Sequence, residues 1–387
     1  MKYLLSLVAL ASVANAVAVP LDGEQAPFGV DYKHPGFDWD LSAQRLVQIE
    51  GQAPVWMTEL EKIHAKQRGI KFFDITDTRD LGTVPRLQVK ASFPSPNATE
   101  KVKPILKKLS TKGPRENLKH FSSFRTRHYR SDTGRQSQLW LRDRIAEITS
   151  EWGSKSLQNR ISISEFTHNW GQNSIIARIN GSSTHDDGVL IIGAHQDSTN
   201  MWPFLPAPGA DDDGSGSVTI LESYRALLAA DFHPERSLEF HWYSAEEGGL
   251  LGSQAVAKAY EGRVNVLAMS QFDMTAWVKR GTREEVGIIT DFVDLPLTEF
   301  NKQLVDTYLD IPWVETKCGY ACSDHASWAK AGYPSSFTIE STFGNSNQNI
   351  HSAKDRIDVS DEFSFDHMLE FSKLAVAFAV ELGGISN

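Results

Sequence analysis

The sequence predicts an α/β fold with a mixed, largely parallel central sheet flanked by helices. Two observations carry this. Short apolar runs of strand composition alternate with amphipathic segments of helical length, the pattern of strand–helix–strand units. The unusual polar residues also gather where those runs end, and open α/β sheets hold ligands beyond the carboxyl ends of their strands. Val189-Leu190-Ile191-Ile192 is expected to be a short buried strand. Residues 214–230 are expected to be a helix with Val218, Leu221, Arg225 and Leu228 near one side. Residues 237–243 (SLEFHWY) and 264–269 have strand composition, as do 285–290 and 336–339. A long closing helix is expected over 363–382.

With 387 residues and 41% hydrophobic content, the chain can bury one large core or two modest ones. Its net charge of −10 argues against a nucleic-acid partner, because phosphates attract basic surfaces. Residues 1–16 have the form of a secretory signal peptide: Lys2, an apolar run, then Ala14-Asn15-Ala16 as a small-residue cleavage site. That run is shorter than the ~20 residues of a membrane span, so secretion without a membrane anchor is expected. The two cysteines, Cys318 and Cys322, suggest a small disulfide-closed loop. Metal ligation by both is the alternative, although no other cysteine exists to complete a thiolate-rich site. Asn97 and Asn180 head glycosylation sequons. The region after the signal, to about residue 88, is charged and poorly periodic, with a short helix expected around 56–67. Phe93-Pro94-Ser95-Pro96-Asn97 then forms an exposed linker, and one continuous domain follows.

The first strand of that domain runs into Gly193-Ala194-His195-Gln196-Asp197-Ser198. Pro208-Gly209-Ala210-Asp211-Asp212-Asp213-Gly214 opens a helix, and the SLEFHWYSA strand ends on Glu246-Glu247-Gly248-Gly249. The next strand ends on Gln271-Phe272-Asp273-Met274-Thr275, and Ile350-His351-Ser352-Ala353-Lys354-Asp355 lies near the C-terminus. Alone, each has an ordinary reading: a hydrogen-bonded loop histidine, an aspartate-rich helix cap, surface glutamates. Together they fall at equivalent ends of successive elements. Burying so many carboxylates is costly unless cations balance them. Two histidines and several carboxylates without thiolates suit zinc, and also cobalt or manganese. The acidic ligands are numerous enough for two ions sharing a bridging carboxylate, ~3.5–4 Å apart in two-metal hydrolases. Asp197 is placed to orient the His195 imidazole. One of Glu246 and Glu247 can bind metal while the other takes a proton from water; spacing leaves open which does which. A phosphate-cradling loop at 209–216 is disfavoured, since three aspartates repel an anion and the P-loop lysine is absent.

In their order, GAHQDS, APGADDDGSGS, SAEEGGLLGS, QFDMTAW, CGYACSDHASW and IHSAKD resemble the M28 family of zinc aminopeptidases, and in particular secreted fungal leucine aminopeptidases. The likeness runs from about residue 100 to the C-terminus. It implies two zinc ions, with His195 and Asp273 on one, Glu247 and His351 on the other, and Asp212 bridging both. Asp213 would follow Asp212 through a non-proline cis peptide. Glu246 would be the general base and later the proton donor to the leaving amine, and Tyr320 would hydrogen-bond the oxyanion. His325 is not implied as a ligand. Residues 17–88 would be a propeptide that assists folding and inhibits the enzyme, cut between residues 83 and 92, with 89–387 as the catalytic domain. Met274, Ile339, Phe343 and Ile350 adjoin ligand motifs and are either core residues or the lining of an apolar pocket for the first substrate side chain. The implied partners are peptide N-termini, and the implied state is a secreted monomer. A glutaminyl cyclase of related scaffold and a non-catalytic binding domain are the alternatives.

Overall fold

The structure, a computed structural model, describes residues 34–84, 93–184 and 188–385. The signal-peptide reading and most of the expected processing stretch lie outside the described residues. Among the described residues there are eleven strands: β1 (Gln44–Gln48), β2 (Val55–Thr58), β3 (Phe73–Asp74), β4 (Ile161–Phe166), β5 (Ser174–Ile179), β6 (Val189–His195), β7 (Ser237–Tyr243), β8 (Val266–Phe272), β9 (Val286–Ile289), β10 (Trp313–Thr316) and β11 (Ser335–Ile339). Eight form one sheet in the order β10-β9-β11-β8-β6-β7-β5-β4. Its inner strands β11, β8, β6 and β7 are mutually parallel, and antiparallel pairings with β9 and β5 flank them. The sheet is therefore mixed with a parallel centre, as the sequence predicts.

Helices cover both faces, which is why β6 is buried at every position and reads as a continuous apolar run. Leu190, Ile192 and Ala194 enter one core with the helices Gly214–Ala229 and Phe365–Gly383. Val189 and Ile191 enter the other, against Val256 of helix Leu251–Tyr260 and Trp328 of helix His325–Lys330. Helix Gly214–Ala229 is buried nearly all round rather than on one side, because the sheet and helices Lys112–Phe121 and Phe365–Gly383 enclose it. Its start approaches the end of β8 so closely that a Cβ at Gly216 would lie 2.3 Å from the Phe272 carbonyl oxygen. Glycine is required there.

Residues 34–84 are more ordered than their composition suggests. β2-β1-β3 form a small antiparallel sheet, with helix Glu59–Gln67 between β2 and β3. That helix begins at Glu59 and not at residue 56, because Thr58 and Glu61 form a reciprocal capping box; Trp56 belongs to β2. The region is held by buried charge more than by apolar periodicity. Asp74 accepts from Arg45 Nε at 2.8 Å and Lys62 Nζ at 2.6 Å. Its amide donates to the Gly249 carbonyl at 3.1 Å, joining the segment to the loop after β7. Burial pushes the Asp74 carboxyl up, but Lys62 and Arg45 outweigh it and hold it at about 2. Its stabilisation is thus complete above the ordinary value of 3.8 and drains away as pH falls toward about 2. Asp74→Ala leaves two cations buried with fewer partners and is expected to cost about 3 kcal/mol. Limited proteolysis of the uncleaved chain should show faster cutting within 34–84; unchanged protection would show that the ion cluster does not hold the segment.

Candidate metal centre

His195 closes β6, and its ring is locked from behind: Nδ1 lies 3.2 Å from the Asp197 carbonyl and 3.5 Å from the Asp197 carboxylate. Nε2 is left facing Asp212 Oδ1 at 3.1 Å and Asp273 Oδ1 at 3.6 Å. The Asp197 carboxylate does more than orient the ring. It accepts the backbone N–H groups of Glu246 and Glu247 at 3.1 and 3.2 Å, fixing the end of β7 against the end of β6.

Each aspartate of the triplet has its own task. Asp213 caps helix Gly214–Ala229 through Gly216 N and also accepts from His195 N and Met274 N, so one carboxylate ties three motifs together. Asp211 accepts from Ala276 N and Asn347 Nδ2. Asp212 is joined to Asp213 by a cis peptide. Its side chain reaches both histidines, with Oδ2 at 3.0 Å from His351 Nε2. Glu247 Oε1 lies 3.1 Å from the same nitrogen. Two compact groups result, His195–Asp212–Asp273 and Asp212–Glu247–His351, sharing Asp212.

These groups fit metal ions. Asp273 Oδ1 and Glu247 Oε1 are buried with no donor in hydrogen-bond geometry, although each points at an imidazole nitrogen. Orphaned carboxylate oxygens of this kind are expensive without a cation. Burial works against a charge on His195, yet Asp273, Asp197 and Asp212 raise its pKa well above the ordinary value, which again reports surplus negative charge. Arg127, the buried guanidinium nearby, attracts Asp355, Asp213, Asp197 and Asp212 through space, but its hydrogen bonds go to backbone carbonyls, among them those of Gln196 and Gly209, stapling the two loops. Strain gathers here as well. Ala245, Leu250, Met274 and His351 have φ between 54° and 60°, a left-handed conformation that non-glycine residues hold only when their surroundings impose it.

A cavity of about 390 Å³ opens onto both groups and is lined by Glu246, Tyr320, Met274, Ile339, Phe343 and Ile350. Burial, then the nearby Glu247, lifts the Glu246 carboxyl well above its usual range while His195 draws it down; bound cations would act with His195. Met274 and Ile339 pack in a small apolar cluster against which Phe343 and Ile350 rest, so they serve the core and the cavity wall together. Cys318 and Cys322 are disulfide-bonded, with Cα atoms 6.2 Å apart, and present Tyr320 between them. His325 is buried against Phe337 and belongs to neither ligand group. Asn97 and Asn180 are exposed.

Sequence reasoning gave no role to Arg127, Phe337 or Asp355. Phe337 lines the cavity, and Asp355 accepts the amides of Asp211 and Asp212 at 2.9 and 3.0 Å, fixing the backbone of the residue that both groups share. Asp355 had a signal, since it closes IHSAKD; Arg127 had none.

Residues 174–376 match the family model described as Peptidase family M28. The protein called leucine aminopeptidase 1 in Colletotrichum graminicola is 50% identical over 352 residues, covering 87% of this chain and 85% of that protein. Its counterpart in Coccidioides posadasii is 47% identical over 396 residues, 98% of each chain. The crystal structure of Legionella pneumophila LapA aminopeptidase superposes with a TM-score of 0.76 at 28% identity, over 88% of this chain and 95% of that one.

Proposed function

The chain belongs to peptidase family M28, and on that footing we propose that it is the precursor of a secreted, dinuclear zinc aminopeptidase that removes leucine and other large apolar residues from peptide N-termini. The observation that carries the reading is the pair of ligand groups sharing Asp212, beside Glu246, in a cavity with an apolar wall. His195 and Asp273 would hold one zinc, Glu247 and His351 the other, with Asp212 shared between them. Zinc bound there supplies Lewis acidity, polarising the scissile carbonyl and acidifying water. Glu246 takes the proton of the attacking water and returns it to the leaving amine nitrogen. Tyr320 donates a hydrogen bond from its hydroxyl to the oxyanion. Asp197, Asp213 and Asp355 position the ligands by holding backbone amides.

Residues 1–16 are proposed as a signal peptide, 17–88 as an inhibitory propeptide and 89–387 as the catalytic domain, acting as a monomer. The Cys318–Cys322 disulfide, the exposed sequons at Asn97 and Asn180, and the lack of a membrane-spanning helix among the described residues are consistent with an extracellular life. Met274, Phe337, Ile339, Phe343 and Ile350 would receive the first side chain, and none offers a partner to a charged one. The processed enzyme is expected to cleave leucyl anilide with kcat/KM at least tenfold above lysyl anilide, since a charge buried there loses its solvation. Faster cleavage of the lysyl substrate would refute the apolar pocket. Peptides with N-terminal glutamine should release free glutamine; conversion to pyroglutamate would favour a cyclase.

A further inference from the structure

Beside Glu247 lies a cation that the chain itself supplies. Lys66, in the last turn of helix Glu59–Gln67, places Nζ 2.9 Å from Glu247 Oε2 and 2.6 Å from the Glu247 carbonyl oxygen. The other oxygen of that carboxylate, Oε1, is the one facing His351 at 3.1 Å. One side chain therefore serves an ammonium on one edge and a candidate ion position on the other. The ammonium is held in place on two sides. Gln67 Nε2 donates to the Met201 carbonyl at 2.9 Å, and Met201 N donates to the His351 carbonyl at 2.9 Å. One turn earlier Lys62 is buried on Asp74, whose amide bonds Gly249, two residues beyond Glu247. Farther along, Lys71 sits 4.8 Å from the Tyr320 ring centre, and Ile70 and Phe72 wall the cavity.

We propose that Lys66 is a built-in counter-cation that weakens zinc at the Asp212–Glu247–His351 position in the uncleaved chain, so that proteolytic removal of the segment completes metal loading as well as opening the cavity. Two cations drawing on one carboxylate repel each other and divide its attraction, and in a water-poor site that repulsion is weakly screened. Among the described residues, the hydrogen bonds and ion pair of Lys66 Nζ go to Glu247 and not to His195 or Asp273, and it feels the shared Asp212 only at longer range, so its effect falls more heavily on this position than on the other. The inference rests on reading residues 17–88 as a removable propeptide.

The test is calorimetric zinc titration of metal-stripped protein: the uncleaved chain, its Lys66→Met and Lys66→Arg variants, and the chain cut at a protease site introduced within residues 85–92. The uncleaved chain should bind its second zinc at least tenfold more weakly than its first. Lys66→Met and the cut chain should bring the two within about threefold, and Lys66→Arg should behave as the parent. Should methionine unsettle the helix, Lys66→Gln carries the same expectation. Equal ratios in the parent and the charge-removed variant would overturn the role of Lys66. Leucyl anilide hydrolysis, measured in parallel, separates the two ideas. Equal ratios with activity switched on by cutting would leave the propeptide reading standing without Lys66. A weak second zinc in an uncleaved chain that is already fully active would remove the propeptide reading and with it the activating role proposed for loss of Lys66, leaving only its local effect on zinc affinity.

Discussion

Glu246→Gln in the processed enzyme is expected to lower kcat for a leucyl anilide by roughly 10²–10⁴-fold, with bound zinc and KM nearly unchanged. The amide keeps the size and much of the polarity of the carboxylate, so the cavity should retain its shape. What it loses is the capacity to accept a proton from water and deliver it to nitrogen. Glu246 is the residue for this role because its neighbour Glu247 is already aimed at His351, while Glu246 lines the cavity. Both amides are anchored on Asp197, so the substitution leaves the loop's backbone bonds in place. Steady-state kinetics with a zinc count on the same sample checks it. Undiminished kcat would take the base assignment away from Glu246.

Asp212→Asn is expected to be at least as damaging by a different route. Asp212 is the residue that both ligand groups share, its two oxygens 3.1 Å from His195 Nε2 and 3.0 Å from His351 Nε2. A neutral amide offers one acceptor oxygen and removes the charge that both ions would draw on, so both sites weaken together. The expected result is a drop in zinc content from two toward zero per chain after dialysis, with activity falling more than ~10³-fold. Asp273→Asn should empty mainly one site. Zinc retained at parent stoichiometry by Asp212→Asn would exclude a bridging role. Amides of Asp211 and Asp212 stay bonded to Asp355 in either case, which makes a folding defect a poor explanation for the loss.

Much of this site could be read from the chain because parallel strands announce their own ends. β6 is an apolar stretch covered on both faces, β7 and β8 are buried strands with a few polar residues among the apolar ones, and each ends at or beside a polar motif. β6 extends through Gly193 and Ala194 to His195, so this candidate ligand lies on the strand rather than just after it. β4 also carried a signal in its Ile-Ser-Ile-Ser alternation, and period-2 counting locates it. Residues 34–84 were harder for a physical reason. Their strands span five residues or fewer, and their order depends on Arg45, Lys62 and Asp74 meeting in space, which no periodicity encodes. Arg127 is similar: one of three arginines within residues 125–130, nothing local sets it apart, and its value comes from carbonyls about 70 to 80 residues away. The pairing of Lys66 with Glu247 spans 181 positions and was equally invisible.

Peptide hydrolysis is proposed to depend on zinc held by these side chains. The most direct measurement is leucyl anilide hydrolysis by the processed chain before chelation, after removal of metal, and after zinc is returned, with zinc counted at each stage. Two zinc ions per active chain are expected, with loss of activity when they are withdrawn and recovery as both are restored. Activity that persists in verified metal-free protein, or its absence from folded, processed protein carrying two zinc ions, would contradict that expectation.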